Sequence, residues 1–168
     1  MIRLLTAALL FATPALAQPV TGHPHVLDGD SLRVAGTEVR LEGLDAPEWD
    51  QLCSRRQWKP RQYRTYRCGA EAKAALIALI AGRPVTCEGV VQPDGGVRDR
   101  YNRVLGICSA GGVELNAAMV ESGHARAFVR YSQRYVPQED RAREARRGIW
   151  AGPHMAPWDW RAVKRGGQ

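Results

Sequence analysis

The chain has 168 residues, of which 45% are hydrophobic and 24% charged, with a formal net charge of +7 and a sequence pI near 9.7. Length leaves room for one domain with a single core, and the ordinary composition excludes a disordered, fibrous or collagen-like chain. The basic balance, carried almost wholly by arginine beside Lys59, Lys73 and Lys164, points to a polyanionic partner, nucleic acid or an anionic envelope surface.

Residues 1–17 read as a secretory signal peptide. Arg3 is the positive start, Leu4 to Leu16 carry no charge, and Ala15-Leu16-Ala17 is a small-x-small cleavage site. Cleavage after Ala17 leaves Gln18 as the first residue, lowers the charge to +6 with the loss of Arg3, and predicts a periplasmic or secreted protein. No later stretch is apolar enough to span a membrane. The expected domain runs from 18 to 161, followed by a frayed tail at 162–168.

Val20–Leu27, Ser31–Val34 and Thr37–Leu44 predict three strands, punctuated by Asp28-Gly29-Asp30 and Ala35-Gly36. Turns this tight predict an antiparallel meander. Pro47 stops the third strand. Trp49–Arg67 has no clean period and reads as a loop carrying Arg55, Arg56, Arg61, Arg64 and Arg67. Ala70–Ala81 predicts a helix with Ala70, Ala74, Ile77 and Ala81 on one face, ended by Gly82 and Pro84. Pro84–Val91 and Arg103–Cys108 are the fourth and fifth strands. Helices are expected over roughly Val113–Ser122 and Val136–Arg147. The predicted class is α+β: a five-stranded Greek-key barrel with about three helices, similar in element order to an OB-fold.

Four cysteines in an exported domain read as two disulfides, with three possible connectivities. If the runs holding Cys87 and Cys108 pair as antiparallel neighbours, those thiols face each other. Cys53 and Cys68 bracket the polar loop. Cys53–Cys68 and Cys87–Cys108 are therefore preferred, each contributing about 3 kcal/mol. The spacings lack the C-x2-C pair of a zinc site.

Asp28, Asp30, Asp45 and Glu48 sit at strand ends or turns, with Arg40 between the two acidic pairs. Oxygen-only ligands suit calcium or magnesium, and arginines beside them suit phosphate. A second cluster follows at Asp99-Arg-Tyr-Asn-Arg103. Together the Asp-Gly-Asp and Asp-Ala-Pro-Glu segments, Arg40 and the Asp99–Arg103 turn resemble the staphylococcal nuclease (thermonuclease) family, over Val20 to Arg161.

The resemblance implies a Ca²⁺-dependent nuclease acting on DNA and RNA, single-stranded or frayed, endonucleolytic and leaving 3′-phosphate ends. It implies Asp30, Asp45 and the Ala46 carbonyl as metal ligands, with Asp28 close by. Glu48 matches the base or orienter of the attacking water, and Arg40 and Arg103 match phosphate-binding arginines. Arg100, Tyr101 and Tyr131 are candidate substrate contacts, the last in a region, Phe128 to Tyr131, where the correspondence slides. Leu115-Asn116 and Gly148-Ile-Trp-Ala-Gly152 match structural positions, and Trp150, Trp158 and Trp160 are expected to pack rather than stack on bases. Asn102 stands where the family often has glycine, and asparagine tolerates the left-handed backbone such a turn needs. A monomer is expected. The alternatives are a non-catalytic polyanion-binding OB-fold module and a degenerate nuclease barrel with an envelope structural role.

Overall fold

The computed structural model describes residues 18–58 and 62–167. The expected signal peptide lies outside the described residues, as do Lys59 and Arg61. No helix among the described residues is long and apolar enough to cross a membrane.

The first predicted strand breaks at His23 into β1 (Val20–Gly22) and β2 (Pro24–Val26). β3 (Ser31–Val34) and β4 (Thr37–Leu41) complete the meander, with Val26 opposite Leu32 and Val34 opposite Thr37. Ala35 (φ 46°) and Gly36 (φ 81°) are both left-handed, the requirement of a two-residue turn whose twist matches the strands. Thr37–Leu44 does not run through: it stops at Glu42-Gly43, and Leu44–Asp45 forms a separate β5. Gly43 takes φ 76° beneath the Tyr135 ring, which a Cβ there would approach to 3.0 Å.

Two more strands make the sheet close. β8 (Val85–Gly89) and β9 (Val104–Ala110) pair antiparallel, β9 lies parallel to β4, and β8 pairs back onto β1. The path β1-β8-β9-β4-β3-β2 thus has as its two ends consecutive segments of one strand, parted only by His23. A short β10 (Val113–Glu114) turns back and pairs antiparallel with the end of β9. Leu32, Val34, Val39, Leu41 and Val85 fill the interior, under Leu76 of α1 (Cys68–Ile80) and Leu115, Met119 and Val120 of α2 (Leu115–Glu121).

The class is α+β with a mixed sheet, and the described residues hold four α-helices rather than about three. α3 (Val136–Glu144) is shorter than expected, and α4 (Pro157–Gly166) was not anticipated. α4 is helical through 162–166, where the sequence suggests fraying. α1 also turns the other way from expectation: Ala72, Leu76 and Ile80 are buried, while Ala74, Ile77 and Ala81 are exposed. Nearly every residue of this helix is apolar, so periodicity does not choose a face; contact with the sheet and α2 does.

The expected loop is a hairpin, β6 (Leu52–Arg56) with β7 (Tyr63–Arg67), in register Cys53↔Tyr66 and Arg55↔Arg64. Only Cys53 on it is fully buried, so no alternation marks it as a strand pair. It is held instead from outside. Cys53 bonds to Cys68 at the start of α1, and both pack with Ile149, Tyr66 and Trp150. The second disulfide joins Cys87 and Cys108, directly opposite in the β8–β9 ladder. Both pairings are those preferred from the sequence.

Candidate active site

Three segments deliver the acidic residues to one rim of the sheet. Asp28 opens the β2–β3 turn, where its Oδ1 accepts the Asp30 N–H at 3.0 Å and the Ser31 hydroxyl at 2.7 Å. This is local Asx-turn chemistry. Gly29 between them is required by packing, because a Cβ there would lie 2.7 Å from the Ala72 Cβ and 2.8 Å from the Ala46 Cβ. The turn therefore fits under α1 and against the Asp45-Ala46 segment, and Asp30 meets Asp45.

Arg40, across from Ser31 on β4, ties the two aspartates. Its Nη1 donates to Asp30 Oδ1 at 3.1 Å and its Nη2 to Asp45 Oδ1 at 2.7 Å. The Ala46 N–H donates to Asp30 Oδ2 at 3.2 Å. Asp45 is fully buried on β5, which pairs with β11 (Arg126–Ala127). Burial pushes the Asp30 carboxyl up to about 8; Arg40 pulls against that rise, and the neighbouring Asp28 and Asp45 add to it. Asp28, by contrast, is held below the usual carboxylate range: burial raises it, but the bonds from Ser31 and Asp30 and the charge of Arg40 outweigh that.

Glu48 is placed by the backbone that follows Pro47. Its N–H donates to Gln51 Oε1 at 3.2 Å, and the buried Gln51 amide in turn donates to the Met155 carbonyl at 2.8 Å. Gly69, at the start of α1, lies directly beneath: a Cβ there would overlap the Glu48 carbonyl.

The residue that sequence reasoning missed is Arg161, on α4. Its Nη2 donates to Asp45 Oδ2 at 2.6 Å and its Nη1 to Glu48 Oε1 at 2.7 Å and to Asp45 Oδ1 at 3.1 Å. Burial costs this guanidinium, but the bonds to Asp45 and Glu48 more than offset it and hold its proton more tightly than in water. A sequence signal existed for the helix, in Pro157 at its first turn, but none for the partners.

The second cluster is a separate turn at the start of β9. Asp99 Oδ1 accepts the N–H of Tyr101 at 2.9 Å and of Arg103 at 3.0 Å, and Oδ2 accepts Arg103 Nε at 2.8 Å. Asn102 takes φ 66°, the left-handed conformation expected of it. Burial raises the Asp99 carboxyl, but its Arg103 and backbone bonds prevail and hold it low. Arg103 makes no hydrogen bond or ion pair with Asp30, Asp45 or Glu48; the parallel β4–β9 pairing, Arg40 beside Leu105, sets its strand next to that of Arg40. Arg100 lies over the exposed Tyr101 ring, 4.8 Å from its centroid.

Tyr131, also exposed, meets Phe128 edge-on at 4.8 Å, and Phe128 stacks on Trp158 of α4 at 5.3 Å. Trp158 and Trp150 each pack under Arg126, at 4.8 and 4.9 Å. These two tryptophans are packed, as expected; Trp160 lies under Lys164 at 4.6 Å.

The profile of the staphylococcal nuclease homologues matches residues 38–152, which takes in Arg40, Asp45, Glu48 and Arg103. The chain belongs to the staphylococcal nuclease homologue family. It is 38% identical over 123 residues to the succinoglycan biosynthesis protein ExoI of Rhizobium meliloti (strain 1021), covering 72% of this chain and 59% of that protein. It is 35% identical over 131 residues to the probable staphylococcal-like nuclease CAN4 of Oryza sativa subsp. japonica, covering 76% of this chain and 22% of that protein. With the staphylococcal-like nuclease CAN1 of Arabidopsis thaliana the identity is 31% over 132 residues, 77% of this chain and 34% of that protein. The chain spans from about a fifth to three fifths of the length of these relatives.

For this family a bound divalent cation is expected. Among the described residues no three His, Cys, Asp or Glu side chains are arranged as a metal cage; guanidinium groups of Arg40 and Arg161 lie against the two aspartates instead. The donor set nevertheless suits a hard cation. It is oxygen only, and the carboxylates of Asp28, Asp30, Asp45 and Glu48 face two guanidiniums, an excess of negative charge in a largely buried pocket.

Proposed function

We propose that this protein is a calcium-dependent nuclease that hydrolyses phosphodiester bonds in DNA and RNA, endonucleolytically, leaving 3′-phosphate ends. The observation that carries the reading is the joining of Asp30, Arg40 and Asp45, and through Arg161 of Glu48, in one hydrogen-bonded cluster, in a member of a nuclease family. Binding alone does not call for a pocket of carboxylates, which repels phosphate. We read the closed sheet as an OB-type barrel that presents this cluster at its rim.

Asp30, Asp45 and the Ala46 carbonyl would hold the cation, which when bound neutralises phosphate charge and helps position water. Glu48 takes a proton from the attacking water, whose oxygen bonds to phosphorus as the bond to the 5′-oxygen breaks, and the departing 5′-oxygen is protonated from solvent. Arg40 and Arg103 hold phosphate oxygens and stabilise the charge that develops in the transition state; Arg103 still has its Nη1 without a hydrogen bond or ion pair among the described residues. Tyr101, Arg100 and Tyr131 form exposed flanks for the bases and backbone. The hairpin extends the groove for a single strand. On its outer face Arg56 and Tyr63 pair across the strands beside Thr65, Leu52 and Arg67, and Arg56 has no acidic partner among the described residues. All these groups come from one chain, which fits a monomer. Two disulfides suit an oxidising compartment, consistent with export and cleavage after Ala17.

A second reading keeps the fold and drops the chemistry: a polyanion-binding module in which Arg40 and Arg161 permanently neutralise the aspartates. The ExoI relative, named for succinoglycan biosynthesis rather than as a nuclease, keeps it in view. The experiment is cleavage of single-stranded DNA by the purified, oxidised protein, with calcium or with EGTA, beside Arg103→Ala. Calcium-dependent cutting that falls about 10²–10³-fold in the variant supports the nuclease. Tight, salt-sensitive binding without cutting supports the module.

A further inference from the structure

Arg161 has no counterpart among the residues assigned above, yet it makes the densest contacts of the cluster. A carboxylate offers about four lone-pair sites. On the fully buried Asp45, guanidinium N–H groups take three: Arg40 Nη2 at 2.7 Å and Arg161 Nη1 at 3.1 Å on Oδ1, and Arg161 Nη2 at 2.6 Å on Oδ2. A hard divalent cation needs carboxylate oxygens at about 2.3–2.6 Å. The site left over, on Oδ2, adjoins the 2.6 Å bond from Arg161 Nη2, so a cation placed there meets the guanidinium's like charge at close range. Arg40 is fixed within β4 and bridges both aspartates, so it stays. Arg161 is the group that can leave.

From this geometry we infer that Arg161 is a resident counter-ion, holding the place of the divalent cation on Asp45, and that cation and guanidinium compete for that carboxylate. The inference rests on the cation assignment of the proposed nuclease. The construction of α4 suits the exchange. Its near end is pinned by the Phe128–Trp158 stack, and Trp158 stands three residues before Arg161. Beyond Arg161 its polar tie to the acidic segment is the solvent-exposed Lys164–Asp50 pair at 2.6 Å, of a kind that contributes little. Withdrawal of Arg161 would also uncover Glu48 Oε1, so loading of the cation and release of the general base become one event.

In the absence of an occupant the exchange has a function in folding. A fully buried carboxylate that lacks partners is costly, and Arg161 supplies Asp45 with partners on both of its oxygens in the apo protein. The same contact sets a threshold for loading, because the cation must displace it.

The test is calorimetric titration of Ca²⁺ into the purified, oxidised protein without nucleic acid, at about 0.15 M salt, where exposed charges are screened. Arg161→Ala is compared with Lys164→Ala, which removes a charge from the same helix but no contact with Asp45. Removing charge-assisted bonds of this kind from a competitor predicts roughly tenfold or more tighter calcium binding in Arg161→Ala, and no change in Lys164→Ala. Hydrogen exchange on the unaltered protein supplies a second reading: calcium should speed exchange of the 157–166 amides. Equal or weaker calcium binding in Arg161→Ala overturns the inference and leaves the nuclease reading intact. An equal gain in both variants reduces it to a general charge effect and overturns it too. No calcium binding by any form overturns it together with the cation assignment. Should Arg161→Ala fail to fold, exchange decides: α4 protection unchanged by calcium refutes the competition.

Discussion

Arg40→Met is the sharpest probe of how the cluster is held together. The Arg40 side chain is 17% exposed and the Asp30 and Asp45 side chains 6% and 0%. Methionine keeps the apolar stem and removes the charge. Asp45 retains Arg161, so the burden falls on Asp30, which keeps only the Ala46 N–H at 3.2 Å. Breaking a buried pair by removing one partner costs about 3–5 kcal/mol, because the other charge stays buried. For a domain of this size each kcal/mol lowers Tm by about 2–4 °C, so a fall of roughly 6–20 °C is expected. Thermal unfolding followed by circular dichroism in EGTA, at pH 9, above the raised value of the Asp30 carboxyl, measures it without a cation to substitute. Arg40→Met/Asp30→Asn should recover at least half of the loss, since the orphaned charge is gone. A loss below about 1 kcal/mol would place the pair among exposed ones and refute the view of Arg40 as the clamp on the acidic residues. So would a double variant no more stable than Arg40→Met.

Glu48→Gln should lower kcat by about 10²–10⁴ with calcium affinity little changed, whereas Asp30→Asn should weaken calcium binding and activity together; equal kcat in Glu48→Gln removes it as base. Gly69→Ala forces the Glu48 carbonyl to move, so the variant should lose activity out of proportion to stability, read as kcat against Tm. Arg56→Ala should leave cutting of a dinucleotide unchanged and flatten the salt dependence of single-strand binding by about 0.7 in slope; an unchanged slope takes the hairpin out of the groove. Burial holds the half-buried His124 and His154 below their ordinary value of 6.5. Groups with depressed folded-state pKa bind more protons when unfolded, so their contribution is present above pH 6.5 and lost as pH falls through the folded values. Unfolding midpoints measured from pH 7.5 to 5 should therefore drop, and His124→Gln should shallow the drop.

Much of the site is written locally. Asp28 caps its own turn, Asn102 supplies the left-handed turn before Arg103, and Ala35-Gly36 closes the hairpin that carries Arg40 past Asp30. Each depends on backbone preferences and hydrogen bonds spanning two to ten residues, which sequence encodes directly. The disulfides followed from strand pairing of Cys87 with Cys108 and from the bracket of Cys53 and Cys68. What needed the folded chain is of another kind. The face of α1 could not be chosen from a helix apolar nearly all round. The 52–67 hairpin lacks alternation because its support comes from Ile149 and Trp150, far along the chain. Arg103 turned toward Asp99, its own turn, rather than to the acidic cluster. Arg161 reaches Asp45 and Glu48 across 116 and 113 residues, in a chain with many arginines and nothing local to single it out. Ion-pair partners at such separations are selected by how elements pack, through the cost of leaving a buried carboxylate alone, and that cost exists only once the sheet and helices have enclosed it.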